Sequence, residues 1–201
     1  MSDPTVPQGD FPTVSQVLAS AETLPLQGID LLSRIRGFAR AQIGRHEEGG
    51  RNWGQVVIDA ATPLISERRL ATFAPGAENA GKLEWCSLFA CDCILQGLEA
   101  DGRPPEQLRE WRRMASAEVP KLHERMRAAG LIAPFVPGEA PPPDTIVVFF
   151  RKLAHVAIFD QVLGQLIVTI DGNSGPKCVE VYENKHMLTD ARIDCYGRLP
   201  W

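Results

Sequence analysis

Three stretches of the chain hold side chains that could work together. Cys86 lies in Glu84-Trp85-Cys86-Ser87-Leu88-Phe89-Ala90, where a loop carrying Gly76, Asn79 and Gly81 gives way to an apolar, helix-favouring run. His155 sits in the strand-like stretch Ala154-His155-Val156-Ala157-Ile158-Phe159, and after a turn comes Thr169-Ile170-Asp171-Gly172-Asn173. A thiol at a helix start, an imidazole on one strand and a carboxylate or amide on the next are the parts of a cysteine nucleophile system. The chemistry they imply is attack on an amide carbonyl.

Position within each element matters as much as residue type. The first turn of a helix presents unpaired backbone N–H groups and the positive end of the dipole, which favour a thiolate, and a protonated histidine nearby favours it further. The same N–H groups, at Cys86 and Ser87 with Trp85 beside them, make this turn the candidate oxyanion and substrate-binding site. On an antiparallel pair His155 can face Asp171, because 155 and 171 share odd parity; Asn173 shares it too. Either would hold one ring nitrogen and leave the other for the thiol. The remaining candidates read as ordinary: Cys91 and Cys93 as small core residues, His123 as solvated on a charged helix, His46 and His186 as surface residues in polar loops.

The elements that must place these residues are legible in outline. Residues 1–27, with Pro4, Pro7, Pro12 and Pro25, predict an irregular arm holding at most a short helix around Val14–Ala21; one catalytic domain is expected over 28–201. Ile29, Leu32, Ile35, Ala39 and Ile43 recur at helical spacing up to Gly44, and a second helix follows Asn52 with Val56, Val57, Ala60, Ala61 and Leu64. The third opens at Cys86, is apolar on nearly all sides, and stops at Gly102 and Pro104. Charged helix fills Glu106 to Ala129, with Pro120 in the first turn of a new segment. Beyond Gly130 come short β-branched and aromatic runs: Leu131–Phe135, Thr145–Phe150, His155–Val162, Leu166–Ile170, Cys178–Tyr182 and Ile193–Leu199. Helices first and an antiparallel sheet second predict an α+β domain.

Composition narrows the function classes. With 25 acidic and 21 basic residues, a net charge of −4 predicts no nucleic-acid partner. No segment has the roughly 18 apolar residues of a membrane span. The start, Met1-Ser2-Asp3-Pro4, lacks the features of a secretory signal, which predicts synthesis in the cytoplasm and no stable membrane anchoring. Five cysteines, an odd number, argue against a disulfide framework. Cys91 and Cys93 would point roughly 200° apart on a helix, and no calcium loop or paired zinc spacing is present, so neither metal nor cofactor is expected.

Read together, Glu47-Glu48-Gly49-Gly50-Arg51-Asn52-Trp53-Gly54, Trp85-Cys86-Ser87-Leu88-Phe89, Pro143-Asp144-Thr145-Ile146-Val147-Val148-Phe149-Phe150, His155-Val156-Ala157-Ile158 and Thr169-Ile170-Asp171-Gly172-Asn173 resemble the CHAP family of cysteine, histidine-dependent amidohydrolases and peptidases, related to NlpC-type peptidoglycan hydrolases. The resemblance covers roughly residues 40 to 199 and implies a papain-like fold. It further implies hydrolysis of a peptidoglycan amide bond, either between muramic acid and L-alanine or within the stem or cross-linking peptide. By resemblance Cys86 is the nucleophile, His155 the base, and Asp171 with Asn173 the orienting pair. The chain departs from the family pattern at Ala154, where glycine is commoner, at Pro143-Asp144-Thr145, and at Asp171, where glutamate is commoner. The implied partners are peptidoglycan stem peptides and, for an injected effector, an inhibitor protein. Without a signal, action on the wall would follow release, as for a phage lysin, or injection. Two alternatives stand beside this reading: another Cys-His amidohydrolase or acyltransferase acting on a protein or small amide, and an inactive relative that only binds wall fragments or a partner.

Overall fold

A computed structural model of the protein describes residues 30–48, 52–80, 83, 85–174 and 179–199. The arm expected over residues 1–27, the helix expected at Val14–Ala21, and Cys178 lie outside the described residues. All the elements named below belong to one contact unit, Leu31–Trp201. Helices come first: α1 (Leu31–Ala41), α2 (Gln55–Ala61), α3 (Glu67–Ala71), α4 (Cys86–Ala100), α5 (Pro105–Met114) and α6 (Val119–Ala128). Strands follow: β1 (Ile132–Pro134), β2 (Thr145–Phe150), β3 (His155–Leu163), β4 (Leu166–Ser174), β5 (Glu180–Met187) and β6 (Ile193–Arg198). They form one sheet in the order β1-β6-β2-β3-β4-β5, antiparallel at every pairing. The architecture is the α+β arrangement that the patterning predicts.

Helix α4 is the centre of the packing. Leu88, Phe89, Ala90, Cys91, Ile94, Leu95 and Leu98 cover most of its circumference, leaving the narrow stripe of Asp92, Gln96 and Glu99 at least partly exposed, so the helix must be covered on nearly all sides. It contacts α1, α2 and α5 on one side and β3 and β4 on the other. Gly97 allows α1 to cross closely, since a Cβ there would overlap Ile35. The main core lies between the helices and the sheet face carrying Val147, Phe149, Val156, Ile158 and Ile170. Phe150, Ala157, Phe159 and Ile167 form a second cluster with Ala133, Leu188, Ile193 and Tyr196. Strand β2, between β6 and β3, is buried at every residue, as its uninterrupted apolar sequence requires.

The structure adds to the patterning in three places. The turn-length helix α3 is capped by Ser66, whose side chain accepts from Arg69 N–H, and too few apolar positions surround it to show a period. Strand β5 begins and ends later than the stretch Cys178–Tyr182 suggests, running to Met187, because the backbone pairing of its polar residues with β4 extends the strand where no apolar run marks it. His186 is therefore a strand residue and not a loop residue. His123 is half-buried, its ring edge-on to Phe149 at 5.3 Å, and not simply solvated. Pro120 does occupy the first turn of α6, where its missing N–H costs nothing.

Candidate active site

Cys86 is the first residue of α4, and the residue before it, Trp85, gives the helix no side-chain cap. No Trp85 side-chain atom therefore occupies the backbone donors of the first turn. The earliest amide of the helix with a helical partner is that of Phe89, which donates to Trp85 O at 2.8 Å, so the N–H groups of Cys86 and Ser87 precede the ladder. A serine or aspartate cap would have occupied such a donor. Trp85 itself is fully buried, and its Nε1–H donates to Glu47 Oε1 at 2.7 Å. Glu47 also accepts from the backbone N–H of Asn52 at 2.8 Å through its other oxygen. One carboxylate thus ties the segment before α2 to the start of α4.

His155 is the first residue of β3 and pairs with Phe150 at the end of β2. The turn between them is unusual: Arg151, Lys152 and Leu153 have φ of 57, 58 and 62°, three successive non-glycine residues in the left-handed region. Each costs of order 1–3 kcal/mol and persists only where its surroundings hold it. Here Leu153 N–H donates to Asp194 Oδ2 at 2.8 Å. Arg151 N–H donates to Arg192 O at the same 2.8 Å. This clamped turn aims His155 into the site.

The imidazole sits between two partners. Its Nε2–H donates to Asp171 Oδ2 at 2.9 Å, and the Cys86 side chain is near enough to add to the ring's proton affinity. Burial alone would lower the ring's proton affinity, but the hydrogen bonds to Asp171 and Cys86 outweigh it and push His155 up to about 10. The ring therefore holds its proton more tightly than an ordinary histidine does. The other described thiols have no such setting. Burial pushes Cys91 and Cys195 up to about 12 and Cys93 well above its usual value, so they stay protonated packing residues.

Asp171 reaches His155 because β4 presses onto α4. A Cβ on Gly172 would lie 2.7 Å from Phe89 Cβ and 2.9 Å from Trp85 Cζ3, so only glycine lets the strand come this close. The β3–β4 ladder runs from Leu163↔Leu166 to Ile158↔Ile170 with a register shift between Phe159 and Gln161; at the hairpin end odd residues of β3 face even residues of β4, so it is this bulge, and not simple alternation, that puts 155 and 171 on one face. Asn173 is different. It has φ of 57° at a register shift in the β4–β5 pairing between Asp171 and Ser174, so simple alternation does not carry through to it. It lines the cavity next to His155 and Asp171, but the side chain bonded to the ring is Asp171. Of the two orienting candidates, the structure brings Asp171 to the imidazole.

Two further assignments change in character. The Ser87 hydroxyl is fully buried and donates to Ser116 O at 2.7 Å, which leaves only its backbone N–H for a substrate oxyanion. Trp85 is an anchor held by Glu47 and packed edge-on to Phe89 at 6.3 Å, not a contact surface for substrate. A cavity of about 340 Å³ opens next to His155 and Asp171, with Arg151, Arg192 and Lys185 among its lining residues. No group of three or more His, Cys, Asp or Glu among the described residues is disposed to hold a metal ion. No helix among them is long and apolar enough to cross a membrane.

Sequence reasoning missed Thr169, Glu47 and Asp194 as parts of the site. Thr169 carried a usable signal: two residues before Asp171 on a strand, it must share Asp171's face. The contacts of Glu47 and Asp194 join segments far apart in the chain, and no local pattern encodes them. Compared with protein-family models, with curated proteins and with solved structures, the chain matches none.

Proposed function

We propose that this protein is a cysteine amidohydrolase of papain-like type that cuts an amide bond of peptidoglycan, through Cys86, His155 and Asp171. The observation that carries the reading is the imidazole shared between a thiol at an uncapped helix start and a buried carboxylate. In this mechanism the Cys86 proton resides on His155, the thiolate sulfur attacks the scissile carbonyl carbon, and the oxyanion that forms is met by the N–H groups of Cys86 and Ser87. His155, already protonated, gives its proton to the departing amine and leaves a thioester on Cys86. The neutral ring then takes a proton from water, whose oxygen attacks the thioester and releases the acid, restoring the starting state. Asp171 holds the ring in one orientation and offsets its charge throughout.

The choice of peptidoglycan rests on the motif resemblance; the choice of an amide rests on the site. Digestion of purified sacculi, with mass analysis of released products, tests the proposal. Muropeptides shortened or separated at an amide bond by wild-type protein, and none by Cys86→Ala, are the expected result. Intact sacculi alongside cleavage of a simple peptide amide would move the substrate to a protein or small amide. Tight wall binding without turnover would favour a binding protein.

A further inference from the structure

Asp171 uses both of its oxygens. Oδ2 accepts from His155, and Oδ1 accepts from the Thr169 hydroxyl at 2.6 Å. Thr169 is 0% and Asp171 2% exposed, so water does not compete for either group. Left alone, a carboxylate turns freely about its broad, two-fold terminal torsion. Thr169 removes that freedom from the side opposite His155.

The hydroxyl is held in turn. Thr169 Oγ1 lies 3.3 Å from His186 Nε2, and His186 Nδ1 lies 3.3 Å from Asp190 Oδ2. Asp190 is gripped by Arg192 through Nε at 2.9 Å and Nη2 at 2.6 Å. A threonine has one hydroxyl proton, and a carboxylate can only accept, so that proton is committed to Asp171. Oγ1 then meets His186 as an acceptor, and because burial lowers His186 the neutral ring has one N–H, which goes either to Thr169 from Nε2 or to Asp190 from Nδ1. Phe150 lies against both rings, its centroid 4.6 Å from that of His186 and 6.2 Å from that of His155. The arrangement is continuous from Cys86 on α4, across β3, β4 and β5, to the turn before β6.

We infer that Thr169, backed by His186 and Asp190, is a positioning residue: its hydroxyl locks the Asp171 carboxylate so that Oδ2 meets His155 Nε2. The inference rests on the Cys86–His155–Asp171 reading above. Its requirement is a hydroxyl at position 169, not a side chain of a given bulk. Threonine to valine keeps the volume and removes the hydroxyl; threonine to serine does the reverse.

The test uses the full-length protein in three forms, wild type, Thr169→Val and Thr169→Ser. It follows the His155 ring nitrogens by NMR across pH, and kcat and KM on soluble muropeptides. The groups facing the ring are Asp171 from β4 and Cys86 from α4, with Arg151, His186 and Arg192 around the adjoining cavity. Thr169→Val is expected to lower the His155 midpoint by about one pH unit and kcat by about tenfold, with KM little changed. Thr169→Ser should restore both. A folded Thr169→Val protein with wild-type titration and kcat overturns the inference, and so does equal damage from valine and serine, which would make the role one of packing. If Thr169→Val does not fold, His186→Phe decides: loss of its nitrogens should shift the His155 midpoint the same way, and no shift overturns the relay. A wild-type His155 that titrates near its ordinary value would sink the underlying triad reading itself, a result distinct from the others.

Discussion

Gly172→Ala probes the contact that brings the carboxylate to the imidazole. The added methyl would stand 2.7 Å from Phe89 Cβ, 2.8 Å from Phe89 Cγ and 2.9 Å from Trp85 Cζ3. None of these atoms can yield cheaply. Phe89 Cβ moves only with the α4 backbone, and the Trp85 indole is pinned by Glu47. Overpacking of this kind costs about 1–3 kcal/mol, which for a domain of this size lowers Tm by roughly 2–12 °C. The larger effect should be on turnover. Pushing β4 off α4 displaces Asp171, the neighbouring residue, and a misplacement of about 1 Å can cost on the order of a hundredfold in rate. Differential scanning fluorimetry and muropeptide hydrolysis measure the two effects on the same sample. A Tm within about a degree of wild type together with undiminished turnover would refute the argument, because it would mean that the close approach of β4 to α4 does not position the acid.

Three other outcomes are expected. Asp171→Asn should lower kcat roughly tenfold to more than a hundredfold, as a charge-assisted bond worth about 1.5–3 kcal/mol is lost, whereas Asn173→Gly, which suits the left-handed backbone, should stay within a few-fold of wild type; steady-state kinetics on muropeptides would show the reverse order if Asn173 held the ring. The raised His155 contributes stability that is complete below its unfolded value of 6.5 and is lost as pH climbs through about 10. Urea midpoints should therefore fall across that range more steeply for wild type than for His155→Gln; the comparison separates the ring from buried Cys91 and Tyr196, which also lose stability at high pH, and parallel curves would contradict it. Asp92 is pushed up to about 6, by burial first and by Asp59 and Glu99 after it, so its charged form is unfavourable in the fold above that pH. Asp92→Asn should raise Tm by a few degrees at pH 8 and by roughly half as much at pH 5, since the penalty grows from pH 3.8 to about 6, and an equal change at both would show that the carboxylate is not strained.

The helices and strands were largely legible because their patterns are local. Periodicity located α1, α2 and α4, and β2 spans the residues that its apolar run marks, Thr145–Phe150. The polar edge strand β5 was legible only in part, since backbone pairing holds it and its side chains carry no alternation. In the site, Cys86 was readable because a helix start is a geometric fact that a sequence contains; His155 and Asp171 do come together, but the parity that pairs them holds only because of the register shift between Phe159 and Gln161, which no residue there announces. Asn173, named beside Asp171 as an orienting residue, lines the cavity instead of meeting the ring, since a bulge in the β4–β5 pairing interrupts parity and nothing in Asp-Gly-Asn distinguishes a bulge from a continuing strand. Trp85 looked like a substrate contact from its place beside the thiol. Its true constraint, Glu47, is thirty-eight residues away in sequence. The strained turn Arg151–Leu153 was invisible for a similar reason: no glycine marks it, and its clamps, Asp194 and the Arg192 carbonyl, are on or next to the neighbouring strand β6, some forty residues on in sequence.

Everything above depends on Cys86 becoming covalently acylated during turnover. Wild-type protein mixed with soluble muropeptides, quenched in acid and examined by intact-protein and peptide mass spectrometry, reports on this directly. The account predicts a transient thioester whose added mass equals the acyl part of the substrate, mapped to Cys86, with no adduct in Cys86→Ala. Sustained amide cleavage by Cys86→Ala, or an adduct mapped to another cysteine, would contradict it.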